Sequence, residues 1–394
     1  MALWVVGQLG RWLMEKGPFV SVVVPVRNAE RTLDRTFEYL LNIDYPRNRL
    51  EIVISDGGSS DGTIPVIQKW QNRYPFIKLV EVPNCPSPGF ARSKAMEVVK
   101  GEFIFFTDGD CAPCKEWITE MLSHFEKDPK IGAVGGEIYT LRVEPDNLTE
   151  AYCENFRFNM VSPRYGFISE GYFPPLSDMS PSEVAGHRCY FFVTANVGYR
   201  KEAIDRAKAR FWNLPTGEDI DFCLKIQKDG WRLYFAPKAK VDHMHRATFK
   251  ALRRVWVTYG QAHLPLVKEH SCRTMEIILQ FLKNRPRIKL PFPVKGFIYL
   301  GNFHLMHIFG LLFILGLAMS LIFPAWGGWQ IFTVILFFLG FYFAYKFFLQ
   351  CFYMIPRKYF FTWCRMKYLT NLSFMLGGLK DIRKYKVLCI EPSF

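Results

Sequence analysis

Little in this chain points to secretion or to nucleic acid. Its 10 cysteines are scattered over 394 residues, without the regular short spacings of a disulfide scaffold. Cys111-Ala-Pro-Cys114 is the one CxxC, and no second CxxC pairs with it to build a zinc site. Thiols in a reducing compartment are the simpler expectation. No basic stretch precedes the apolar residues near Met1, which argues against a secretory leader. Long Lys/Arg blocks and nucleic-acid motifs are missing too. The net charge of +14 is therefore left for other anions, nucleotides and lipid headgroups.

What the chain has in plenty is apolar bulk: 50% hydrophobic residues and 37 Phe, with the excess toward the C-terminal end. Near the start, Leu3, Trp4, Val5, Val6, Leu9, Trp12 and Leu13 are too short a run to span a bilayer. Residues 1–18 read either as an interfacial amphipathic helix or as one packed on the protein.

From Phe19 the pattern repeats. Phe19–Val26 is an apolar, β-branched strand, and Asn28 stands where it can cap a helix carrying Leu33, Phe37, Leu40 and Leu41. Glu51–Ser55 is a second strand and Ile77–Val82 a third, each followed by a helical stretch. Phe103–Phe106 is a fourth strand, with no polar alternation, as suits burial on both faces. This alternation predicts βαβ units and a mainly parallel sheet.

Two of these strands end in acidic, glycine-rich turns, Asp56-Gly57-Gly58-Ser59-Ser60-Asp61-Gly62 and Thr107-Asp108-Gly109-Asp110. Each reads as an ordinary connection. Each also reads as a ligand site, because open α/β sheets bind ligands at the carboxyl ends of their strands. Two carboxylates flanking one glycine suit a hard divalent cation shared with a diphosphate.

Together, VSVVVPVRNAERTL, EIVISDGGSSDGT and PGFARSKAMEVVKGEFIFFTDGD resemble the nucleotide-sugar half of family 2 glycosyltransferases with the GT-A fold, over Phe19–His243. The resemblance implies a Rossmann-like, mainly parallel α/β sheet with flanking helices. It places Pro25, Arg27 and Asp56 around the nucleotide base and ribose, Arg92 near the base or diphosphate, and Gly109 in the donor turn. It makes Asp108 and Asp110 the DxD pair that meets the donor and a Mn²⁺ or Mg²⁺ ion. Relatives often read Ala-Arg-Asn where this chain has Ala91-Arg92-Ser93.

In the second half, residues 141–186 lose periodicity and collect prolines and aromatics; they read as a lid, an acceptor-facing insertion or a surface elaboration. Cys189–Val193 reads as a strand entering the small-residue turn Thr194-Ala195-Asn196. Thr216 and Asp219 have capping-box spacing. The resemblance makes Glu218-Asp219 the acidic pair at the acceptor, with Asp219 as general base and Glu218 and Asp221 beside it. It assigns His243, with His245 in reserve, as a further metal ligand. Asn196, Asp221 and Arg246 then support acceptor and diphosphate. The Gln-x-x-Arg-Trp motif of processive relatives is missing at Lys250–Arg254, so a single sugar is the expected cargo.

Phe297–Phe323 and residues 329–350 are apolar enough to form two transmembrane helices around Pro324-Ala325-Trp326. Lys283, Arg285, Arg287, Lys289 and Lys295 precede them; Arg357, Lys358, Arg365 and Lys367 follow. Both flanks are expected in the cytoplasm. The expected division is therefore residues 1–18, a catalytic domain over 19–270, a basic linker over 271–296, the two spans, and a basic, partly interfacial tail over 356–394.

The expected activity is inverting transfer of one sugar from a UDP- or GDP-linked donor to a lipid-linked glycan or glycolipid at the membrane, with membrane lipids but no nucleic acid as partners. The alternatives are a polyprenyl-phosphate sugar synthase, whose anionic acceptor needs no base, and a non-catalytic membrane-anchored scaffold.

Overall fold

The computed structural model describes residues 17–166, 168–176, 189–214, 216–270, 275–282, 284–291, 295–325 and 327–390. Residues 1–16 of the expected interfacial segment, part of the 141–186 insertion, Lys283 and Trp326 lie outside them. The chain divides into two compact units, Met1–Ala247 and Thr248–Phe394.

In the first unit the apolar runs become β1 (Val20–Val26), β2 (Leu50–Asp56), β3 (Ile77–Glu81) and β4 (Phe103–Phe106), all parallel, in the order β3-β2-β1-β4. Each of β1, β2 and β4 is buried almost throughout, as their unbroken Val, Ile and Phe content requires. Beyond β4 the sheet continues through β8 (Val197–Arg200), β6 (Ile131–Leu141), β9 (Arg232–Met244) and β5 (Cys111–Pro113). The two-residue β7 (Gly171–Tyr172) pairs with β9. β8 runs antiparallel to both β4 and β6, while β6 and β9 are parallel. The result is a mixed α/β sheet with a parallel first half.

Helices cover both faces. Glu30–Leu41, Thr63–Gln71 and Trp117–Lys127 bury Leu33, Phe37, Ile67, Trp117 and Phe125 on one side. Pro88–Met96, Lys201–Arg206 and Glu218–Lys228 bury Ala95, Ile204, Phe222 and Ile226 on the other. Each large side chain so removed from water contributes about 1.5–3 kcal/mol. Strand order reverses around β1, so the carboxyl ends of β1, β2 and β4 open on one crevice, the usual ligand position of such sheets.

Several local expectations change. Asn28 does not cap its helix. It adopts φ 52°, donates its amide to Ser59 Oγ and accepts from Ser60 N through Oδ1, tying β1 to the Asp56 turn. Cys189–Val193 forms no strand, because side chains take its backbone groups. Tyr165 Oη bonds both the amide and the carbonyl of Phe191, and Gln227 Nε2 donates to Tyr190 O. The ladder forms instead at Val197–Arg200. In the insertion, Leu148–Asn155 and Val161–Arg164 are helical. Two buried carboxylates anchor this region: Glu150 accepts from Val143 N and Glu144 N, and Glu137 from Val161 N and Ser162 N.

In the second unit, the long helix Phe249–His270, expected within the catalytic domain, packs on Phe360–Leu379. The two backbones touch: a Cβ on Gly260 would lie 2.0 Å from Phe374 O, and one on Gly377 2.0 Å from Val257 O. Only glycine allows that approach. The expected linker is instead a sheet of β10 (Met275–Leu279), β11 (Arg287–Leu290), β12 (Lys295–Leu300) and β13 (Val387–Ile390), in the order β11-β10-β12-β13. Its Met-Glu-Ile-Ile-Leu and Lys-Gly-Phe-Ile-Tyr-Leu runs bury one face. β12 takes the first residues of the expected first span, so the apolar helices are Asn302–Ile322 and Gly327–Met354. Both are long and apolar enough to cross a membrane, with only 11% and 22% of their most apolar windows buried. In the tail, the helix Phe360–Leu379 buries Trp363, Cys364, Met366 and Phe374 and exposes Phe361, Leu376 and Leu379.

Candidate active site

The turn after β4 is held from beneath by side chains the sequence reading overlooked. Thr32 and Thr36, one helical turn apart, donate to Gly109 O at 2.7 and 3.1 Å. Their signal was two hydroxyls on the face that also carries Leu33 and Phe37. Thr107 Oγ1 donates to Ala195 O at 3.0 Å. Gly109 is required here, because a Cβ would stand 2.6 Å from Val26 Cγ1.

This platform aims Asp108 and Asp110 into the crevice. β5 pairs antiparallel with the end of β9, placing Cys111 opposite His243, and Met244 N donates to Asp110 O at 2.8 Å. Among the described residues, ligand atoms of Asp108, Asp110, Cys111 and His243 all lie within 4.8 Å of one another. His243 Nε2 is 3.6 Å from Asp110 Oδ1, and its buried Nδ1 has no hydrogen-bond partner. Burial, with Asp110 and Asp108 nearby, pushes the Cys111 thiol well up, so it stays neutral. Two carboxylates and an imidazole then form a donor set that fits Mn²⁺ or Mg²⁺.

His245 turns away from this set. It is buried, its Nε2 sits 2.9 Å from Thr140 Oγ1, and burial followed by the His243 and Arg246 charges lowers its pKa to about 2. Arg246 is exposed, with NH1 3.9 Å from Asp110 Oδ2. Arg31, also overlooked, fixes the turn by donating to His245 O at 2.9 Å while reaching Glu144 at 3.1 Å and Glu150 at 3.5 Å.

Arg92 links the two acidic motifs. Its side chain is 5% exposed, with NH2 2.7 Å from Asp108 Oδ1 and NH1 2.6 Å from Glu218 Oε1. Ser93, at the position where relatives often carry Asn, donates to Phe211 O at 3.2 Å. Glu218 opens the helix Glu218–Lys228, whose N-cap is Gly217 at φ 85°, so the expected Thr216 capping box is not formed. Desolvation pushes Glu218 above the carboxylate range, to about 7, against the pull of Arg92 and with help from the Asp219 charge. Asp219 is half-buried beside it. Desolvation raises its pKa too, opposed by Arg92, by Ile220 N and by Arg164.

The remaining expected residues differ in how far their polar groups are already used. Pro25, next to last in β1, is half-buried in register with Ser55, and Arg27 is exposed with NH1 on Cys85 O at 3.2 Å. Asp56 is buried, and its carboxylate accepts from Gly58 N, Ser59 N and the Ser59 hydroxyl, holding its own turn. Asn196 is not open to an acceptor. It is 1% exposed, accepts from Trp117 Nε1 and donates to Glu137 O and Ala239 O. Asp221 is fully buried and paired with Lys225 at 2.7 Å.

Residues 21–206 match the family described as Glycosyl transferase family 2. A Methanococcus voltae dolichyl N-acetyl-glucosaminyl phosphate diacetamido-dideoxy-glucuronosyltransferase is 23% identical over 62% of this chain and 72% of its own length. Glycosyltransferase AglE of Haloferax volcanii is 27% identical over 68% and 83%. Across four relatives, the match covers from 50% to 83% of their lengths. Among solved structures, the mannosyltransferase PcManGT of Pyrobaculum calidifontis aligns with TM-score 0.45 and 20% identity, over 68% of this chain and 70% of that one. The chain is a glycosyltransferase whose residues 21–206 form a Glycosyl transferase family 2 domain.

Proposed function

We propose that this chain is an inverting enzyme that moves one sugar from a UDP- or GDP-linked donor to a hydroxyl of a lipid-linked glycan or glycolipid, at the cytoplasmic face of a membrane. The observation that carries the reading is the chain of contacts Asp110–His243, Asp108–Arg92 and Arg92–Glu218, which ends beside Asp219. It sets an acidic donor site and a desolvated carboxylate against one crevice.

Asp219 takes the proton of the acceptor hydroxyl as its oxygen attacks the anomeric carbon. The bond from that carbon to the diphosphate breaks on the opposite side, and the nucleoside diphosphate leaves with the electron pair. A divalent ion held by Asp108, Asp110 and His243 would supply neutralisation of that leaving charge. Arg92 keeps Asp108 and Glu218 in place, and Arg246 offers a cation at the rim. The lipid-linked acceptor is supported by the two apolar helices and by the dolichyl-phosphate sugar in the Methanococcus relative's name.

Nucleotide release from a panel of UDP- and GDP-sugars, with and without chelator, is the test. Release that stops on chelation supports the reading; no release from any donor sinks it in favour of a binding scaffold. Asp219→Asn should lose about 10²–10⁴-fold in transfer. Full activity of that variant would remove the base and favour an anionic polyprenyl phosphate as acceptor.

A further inference from the structure

Arg164 ends the single helical turn Val161–Arg164 and is fixed from both sides. Glu137 accepts the first two amides of the turn at 2.6 and 3.0 Å, and the next residue, Tyr165, bonds Cys189 O and Phe191 O through its hydroxyl. The Arg164 guanidinium lies over the Phe191 ring, 5.1 Å from its centroid. Its NH1 is buried and makes no hydrogen bond, and among the described residues no carboxylate pairs with it. The adjacent Phe192 meets Cys223 Sγ through both its amide, at 3.4 Å, and its carbonyl, at 3.7 Å. Cys223 sits one helical turn after Asp219. Arg164 and the helix that opens with Glu218-Asp219 therefore both pack on the 191–192 segment, and the Asp219 carboxyl feels the Arg164 charge.

A buried guanidinium N–H without an acceptor is costly, and stacking on one aromatic ring returns only about 0.5–2 kcal/mol. The planar fork fits a phosphate or carboxylate and loses little freedom on binding one. The diphosphate of a donor has its own site at Asp108, Asp110 and His243, which leaves the Arg164 position to the acceptor.

We propose that Arg164 binds an anionic group of the acceptor, a phosphate or carboxylate, carried close to the hydroxyl that receives the sugar. This rests on the transferase reading above.

The test uses the full chain in detergent with Mn²⁺, and three alkyl glycosides that differ only in being neutral, phosphorylated or carboxylated. Arg164→Gln should raise KM for the charged probes about 10–100-fold, the range lost with a charge-assisted hydrogen bond. KM for the neutral probe should stay within twofold. Arg164→Lys should recover part of the loss. A preference confined to the phosphorylated or to the carboxylated probe names the anion. Equal loss on neutral and charged probes, or a loss lying wholly in donor KM, overturns the proposal. Equilibrium binding of the phosphorylated and carboxylated probes without donor reads the site even where nothing turns over. Unchanged affinity for both in Arg164→Gln sinks the proposal, whereas lack of nucleotide release alone sinks only the transferase reading.

Discussion

Two small-residue turns were expected to meet substrate, one after β4 and one before β8, and they are built in opposite ways. In the first, Asp108 and Asp110 keep 27% and 16% of their side chains exposed and His243 keeps 15%, while threonines below hold the backbone. In the second, Asn196 points inward and spends its amide group on Trp117, Glu137 and Ala239. The same kind of turn thus serves as a platform in one place and as a rivet in the other. What separates them is whether the side chain's polar atoms are already used, and nothing in local sequence reports that.

The contrast can be broken by experiment. The largest effect belongs to Asp110→Asn, which should lower metal-dependent turnover about 10³-fold, or ~4 kcal/mol, with an unchanged melting temperature. Asn196→Ala should do the reverse. It leaves two buried carbonyls and an indole N–H without partners, for about 2–4 kcal/mol of stability read by denaturant melts, and the protein that still folds should keep its kcat. A stable but inactive Asn196→Ala would place that residue in the site after all.

The histidines sharpen the contrast. His243→Ala should raise the Mn²⁺ or Mg²⁺ concentration for half-activation about 10–100-fold. His245→Ala should leave it within about twofold, losing only a hydrogen bond worth ~1 kcal/mol. Equal metal shifts would undo the assignment of His243.

The pH profile is the mildest probe. The base works as a carboxylate, and burial raises the pKa of Asp219 above its ordinary 3.8 and that of Glu218 to about 7. Log kcat/KM should therefore fall as pH drops through the raised values, with its acid limb above 3.8. An acid limb at or below that point would mean a solvated base.

Much of this was legible in the chain. Unbroken apolar strands ending in Asp56 and Asp108 fixed the parallel half, because fully buried strands tolerate no alternation. The Asp108, Asp110 and His243 grouping followed from the family pattern. What escaped were features set by distant side chains. The Cys189–Val193 run is strand-like in composition, yet Tyr165 and Gln227 take its backbone. The insertion has no periodicity, yet Glu137 and Glu150 fold it around buried carboxylates. In the second unit, charged residues between apolar stretches looked like a linker; pairing with a strand almost a hundred residues later makes them a sheet.

That sheet carries a rule of parity. β12 comes just before the two apolar helices and β13 well after them, yet Lys295–Ile298 and Val387–Ile390 are paired residue for residue. If either helix crosses a bilayer, an odd number of crossings would strand the two partners on opposite sides. Any insertion must therefore come in pairs, and a chain with only one helix inserted would be unable to close the sheet.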